Sequence, residues 1–118
     1  MNKRIALDFD GTIVEENYPN IGELRAEAKY YINKLYDDGF TIIINTCRSG
    51  VFAENAKNFL IKNKIRFHYF NENDPVLIKQ YSSDCRKISA DVYIDDRCLT
   101  GLPEWEEIYK ILIDKFYE

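Results

Sequence analysis

The stretch Thr41-Ile42-Ile43-Ile44-Asn45 constrains the fold more than any other part of the chain. Its β-branched side chains favour an extended backbone. No polar residue alternates with them, so neither face of this strand is patterned for water. A strand covered on both sides belongs in a parallel sheet flanked by helices.

Three further apolar runs repeat the theme. Arg4-Ile5-Ala6-Leu7-Asp8-Phe9 reads as the first strand, residues 65–70 as a third interrupted by Arg66 and His68, and Asp91-Val92-Tyr93-Ile94 as the last. Helical periodicity lies between them. Residues 22–37 place Leu24, Ala28, Tyr31, Ile32 and Leu35 on one face, and Asp38-Gly39 ends that helix because glycine tolerates a left-handed cap. Ser49 is a candidate cap for a second helix with Phe52, Ala53, Ala56, Phe59 and Leu60 inward. Residues 71–86 offer a helical turn or two near residues 76–81, after Pro75. Pro103 suits a first helical turn, and Trp105, Ile108, Ile111, Leu112 and Phe116 trace a final amphipathic helix. The alternation predicts an α/β fold: a three-layer, doubly wound, Rossmann-like parallel sheet of about four strands with helices on both faces. A length of 118 residues fits a single domain over 1–118.

Composition excludes several functions. The chain is 46% hydrophobic with a formal net charge of -4, and no long basic run is present to neutralise a nucleic-acid duplex. Nothing approaches the roughly eighteen apolar residues of a membrane helix, so no membrane partner is expected. Cys47, Cys85 and Cys98 are odd in number, widely spaced and without a Cys-x-x-Cys pair, which argues for a reducing compartment and against a zinc site. The amino terminus turns acidic at Asp8 where a signal peptide would continue apolar, and a cytoplasmic protein is expected.

The charges sit at the ends of the strands. Asp8 and Asp10 close the first, Thr46 follows the second, and Asp95 and Asp96 close the last. Ligands of open parallel sheets bind beyond these carboxyl ends. Clustered carboxylates repel one another, and a hard, oxygen-seeking cation such as Mg2+ relieves the cost. Backbone N–H groups near Gly11 and Gly50, the Thr46 hydroxyl and a lysine would complete an anion cradle. Taken singly, each of these is as readily a turn or a helix cap.

The exact residues go further. Asp8-Phe9-Asp10-Gly11-Thr12-Ile13-Val14 resembles the first motif, Asp-x-Asp-x-Thr, of the haloacid-dehalogenase-like phosphohydrolases. Asn45-Thr46-Cys47-Arg48 resembles the second motif, Lys87 the third, and Tyr93-Ile94-Asp95-Asp96-Arg97 the fourth, so the likeness spans almost the whole chain. The resemblance implies an Mg2+-dependent phosphatase acting on a small phosphorylated molecule, a sugar phosphate or nucleotide. Asp8 would be the nucleophile that forms an aspartyl-phosphate, and Asp10 the general acid and base. The ion would be held by the Asp8 and Asp95 side chains and the Asp10 backbone carbonyl, with Asp96 beside it. Gly11, Thr46, Arg48 and Lys87 would meet the phosphate, Thr46 and Lys87 acting in catalysis.

Lys79 competes with Lys87 for the lysine role. Arg48 and Arg97 suit either a ligand contact or a surface ion pair. Neither gap between motifs has room for a cap domain, so the chain resembles the minimal, capless class. An open site of that kind leaves a role for a homo-oligomer in covering it, or for a small flap built from Glu15, Glu16 and Tyr18. Two other readings remain at this point. A phosphoryl-accepting receiver domain shares size and chemistry but takes its phosphorylated Asp after the third strand, where this chain has Asn71. A catalytically inactive binding member of the fold would keep the motifs without turnover.

Overall fold

The computed structural model describes residues 2–117. Four parallel strands run in the order β3-β2-β1-β4: β1 is Arg4–Leu7, β2 Thr41–Ile44, β3 Tyr69–Phe70 and β4 Val92–Ile94. Ile5 stands beside Ile42 on one side and Val92 on the other, and Leu7 beside Ile44 and Ile94. The two middle strands therefore end level with β4, which brings the residues following each strand to one edge of the sheet.

Four helices connect and flank the strands: α1 is Ala28–Asp37, α2 Gly50–Lys62, α3 Pro75–Tyr81 and α4 Trp105–Phe116. Side chains alternate across a strand, and here the two faces differ sharply. Ile5, Leu7, Ile42, Ile44 and Ile94 point into the main core, where they meet Ala28, Ile32 and Leu35 of α1, Ala56 and Leu60 of α2, and Trp105, Ile108 and Leu112 of α4. The opposite face is thin. Ala6 and Ile43 pack there against Ile88, with Tyr69 and Ala90 beside them. The helical cover expected on both faces thus amounts, on this second side, to short α3 and the connection to β4. Arg4 anchors that cover: its Nε donates to buried Asp74 at 2.9 Å, and its backbone N–H donates to Asp91 Oδ2 at 2.7 Å.

Several boundaries differ from the sequence reading for local reasons. Helix α1 starts at Ala28, not at residue 22, because residues 22–27 pair with the first loop instead. Val14 bridges Leu24, the Glu15 N–H donates to the Glu23 carbonyl, and the Arg25 N–H donates to the Ile13 carbonyl. Its other end is as expected, with Gly39 at a φ of 100° and the Phe40 N–H donating back to the Leu35 carbonyl at 3.1 Å. Ser49 occupies the cap position of α2 without a side-chain hydrogen bond, and Phe52 stays exposed. Strand β3 is shorter than residues 65–70, and Pro103 precedes α4 rather than entering its first turn. No helix among the described residues is long and apolar enough to cross a membrane.

Candidate active site

The carboxyl ends of β1, β2 and β4 surround a cleft of about 310 Å3. Its walls include Asp8, Asp10, Thr46, Arg48, Asp95 and Asp96, and also Glu16, Tyr18, Cys47 and Arg97. A larger depression of about 700 Å3 follows the outer side of α1 past Leu24, Tyr30 and Asn33, but it contains none of the clustered carboxylates. Chemistry favours the smaller space.

Asp8 follows central β1, and Asp95 and Asp96 follow its neighbour β4. Oxygen atoms from these three carboxylates lie within 4.8 Å of one another. Such a cluster is costly without a counter-charge. Burial, a hydrogen bond with Asp96 and the charge of Asp95 together push the Asp8 carboxyl up to about 8, against a weaker lowering by Thr12. A proton shared within the cluster is one way to relieve the repulsion, and a divalent cation is another. The donor set is all oxygen, the preference of Mg2+ or Ca2+ rather than of a soft metal. The three aspartates therefore form an acidic cluster able to hold a divalent cation.

The first loop is built for this meeting. Thr12 is fully buried; its hydroxyl donates to Asp8 Oδ2 at 3.0 Å and accepts the Asp96 backbone N–H at 3.0 Å. A single side chain thus fixes the carboxylate from β1 against the loop after β4. Gly11 adopts a φ of 82°, which favours glycine, and a Cβ there would stand 2.2 Å from Asp96 Oδ2, so a larger residue would displace the Asp96 carboxylate. The Thr12 carbonyl accepts from Trp105 Nε1 at 3.0 Å and from Arg25 Nη1 at 3.3 Å. The Asp95 side chain turns back on its own loop to accept the Arg97 N–H at 2.9 Å.

Asp10 belongs to a different arrangement. Its carboxylate faces Arg48, with Nε to Oδ2 at 2.7 Å and Nη2 to Oδ1 at 2.8 Å. That carboxylate stands outside the three-carboxylate group. Arg48 was expected at a phosphate or in a surface ion pair, and the structure gives it neither place. Its side chain is 1% exposed, and its remaining N–H groups donate to the carbonyls of Pro19, Asn20 and Phe52. A guanidinium has five donors, and all five are engaged within the chain.

Thr46 lines the cleft; its hydroxyl accepts the Arg48 N–H at 3.2 Å, and its own N–H donates to Asn71 Oδ1 at 2.8 Å. Asn71 Nδ2 also donates to the Arg48 carbonyl at 3.4 Å, so a residue that had seemed only to mark the end of the third strand shapes the loop of the second. Lys87 is exposed, with its ammonium 4.8 Å from the centre of the Tyr93 ring, and it does not line the cleft. Lys79, on α3, does not line it either. Arg97 does. Sequence reasoning missed the support that Trp105 and Asn71 give to the site, since neither residue type nor spacing reveals a hydrogen bond between distant segments.

A conserved protein from Bacteroides thetaiotaomicron has a similar structure, with a TM-score of 0.88 and 33% sequence identity over 98% of this chain and 93% of that one. No family model and no curated protein matches the chain.

Proposed function

This chain belongs to the family of the conserved Bacteroides thetaiotaomicron protein, and we propose that it is a capless, haloacid-dehalogenase-like phosphatase that hydrolyses a small phosphomonoester. The observation that carries this reading is the meeting of Asp8, Asp95 and Asp96 oxygens within 4.8 Å at the carboxyl edge of the sheet. Asp8 stands first in an Asp-x-Asp-x-Thr sequence, and the Thr is the residue that orients it.

In this reading the Asp8 carboxylate attacks phosphorus, the bond from phosphorus to the leaving oxygen breaks, and that oxygen takes a proton from Asp10. Water then attacks the aspartyl-phosphate and gives its proton to Asp10, which releases inorganic phosphate and restores Asp8. Thr12 fixes the rotation of the Asp8 side chain during both displacements. The Thr46 hydroxyl lines the cleft and would meet a phosphoryl oxygen. The Gly11 N–H, expected to do the same, donates instead to the Val14 carbonyl at 2.8 Å, and Lys87 would have to leave the Tyr93 ring and turn inward to supply positive charge. Mg2+ held by Asp8, Asp95, Asp96 and the Asp10 carbonyl would neutralise charge on the transferring group.

Glu16 and Tyr18 line the cleft, and in this reading the leaving group sits against them. A sugar or nucleoside has the hydroxyls and the ring to meet an acceptor and an aromatic face there. The deciding experiment is turnover of p-nitrophenyl phosphate by wild type and Asp8→Asn, each with Mg2+ and with EDTA. Turnover only by wild type with Mg2+ is expected; equal turnover by Asp8→Asn removes Asp8 as nucleophile. Failure of wild type on a broad panel of phosphorylated metabolites would favour a binding role instead.

A further inference from the structure

The loop formed by residues 15–22 is held at two points. At its neck the Glu15 N–H donates to the Glu23 carbonyl at 2.7 Å, and Gly22 approaches so closely that a Cβ would lie 2.1 Å from the Glu15 carbonyl oxygen. At its far side the carbonyls of Pro19 and Asn20 accept from Arg48 at 3.1 and 2.9 Å. Residues 15–20 are exposed, whereas the guanidinium beneath them is buried. It lies 5.4 Å from the Phe9 ring centre and 5.0 Å from that of Tyr18, whose ring in turn meets Phe52 edge-on at 5.7 Å.

The same guanidinium grips both oxygens of Asp10 and reaches the Phe52 carbonyl in the first turn of α2. Asp10, the 15–22 loop that follows it and the start of α2 thus converge on one planar group. A planar fork with fixed donor directions sets orientation in a way that a flexible ammonium does not.

We propose that Arg48 is a positioning residue that makes Asp10 and the 15–22 loop one rigid unit. A leaving group seated against Glu16 and Tyr18 is thereby presented to Asp10 in a fixed geometry, and the loop serves as a standing wall rather than a moving flap. The inference rests on the phosphatase reading for its chemistry, but the rigidity itself does not.

Two measurements separate these. The first compares kcat and KM of Arg48→Lys for p-nitrophenyl phosphate and for phenyl phosphate, whose more basic leaving oxygen depends more on a well-placed proton donor. A fall in kcat of about 100-fold on phenyl phosphate, of less than about tenfold on p-nitrophenyl phosphate and with little change in KM, is expected. Equal losses on both substrates, or none, overturn the proposal. Tyr18→Ala, at a half-exposed position, repeats the test should the lysine variant fail to fold; the same unequal losses, in smaller measure, are expected, and equal losses count against the proposal. The second measurement is amide hydrogen exchange of residues 15–22 in wild type, Asp10→Asn and Tyr18→Ala. Faster exchange in both variants is expected. Unchanged exchange overturns the rigid unit even if wild type proves to hydrolyse no phosphate ester, an outcome that by itself would count only against the phosphatase reading.

Discussion

The indole N–H of Trp105 donates to the Thr12 carbonyl at 3.0 Å, joining the last helix to the first loop of the site across 93 positions of sequence. Thr12 in turn holds Asp8 and the Asp96 backbone through its hydroxyl. The beginning and the end of the chain therefore meet behind the acidic cluster, and the geometry of the cluster depends on both.

Trp105→Phe tests that dependence. The ring volume is largely kept while the buried donor is removed, so a loss of about 1–3 kcal/mol in unfolding free energy is expected. The same variant should bind Mg2+ more weakly, because Thr12 is freed to shift. Denaturant unfolding and isothermal titration measure the two effects. Full stability with full affinity would show that Arg25 alone suffices to hold the Thr12 carbonyl.

Metal binding should displace a proton from the cluster. The Asp8 carboxyl sits at about 8, above its ordinary 3.8, chiefly through burial and then through Asp96 and Asp95. The folded, metal-free protein therefore holds a proton that the unfolded chain releases. The associated stability is fully present below about pH 3.8 and is lost as pH rises through about 8. Mg2+ replaces that proton, so the gap in Tm between samples with Mg2+ and with EDTA should widen as pH rises across this window. A gap independent of pH would show that Asp8 holds no such proton.

His68 gives the opposite sign. Its Nδ1 accepts the Ile42 N–H at 3.0 Å, its ring stacks on Tyr36 at 4.3 Å, and partial burial lowers its pKa below the usual 6.5, with Asp74 opposing. The neutral ring completes a backbone pairing that short β3 leaves open. This contribution to stability is present above about pH 6.5 and is lost as pH falls through the lowered value. His68→Asn, which keeps an acceptor without titrating, should lose less Tm than wild type between pH 6.5 and more acidic conditions. Parallel acid limbs for the two proteins would remove His68 from the account.

The choice of lysine is settled by comparing Lys79→Ala with Lys87→Ala. Loss of the residue that neutralises the phosphoryl group should lower kcat by about 100-fold, and the larger loss is expected at Lys87. The reverse order would assign the role to Lys79.

Much of the fold was legible where physics is local. The β-branched run 41–44 and the heavily apolar first strand announced the two central strands, because burial on both faces leaves no polar alternation. Gly39 marked a helix end because its backbone demands it. Residues 22–27 misled because Leu24 keeps helical spacing with Ala28 while its backbone pairs with Val14, a partner that periodicity cannot reveal. The thin second face was hidden for a similar reason, since Ala6 and Ile43 look like any buried strand residues. At the site, the carboxylates were visible from their places at strand ends. The destination of Arg48 was not, because its partners come from the first loop, the 15–22 loop and the first turn of α2, and the last two contribute only backbone oxygens that carry no signature in the sequence.

Strand β4 lies at the border of the sheet, paired through β1 alone, and it carries two of the three clustered aspartates on the residues that follow it. An ion shared with Asp8 would rivet this outermost strand to its inner neighbour. The margin of the sheet, ordinarily the first part to fray, would then become one of the last to separate when the protein is loaded, and its release would report on occupancy.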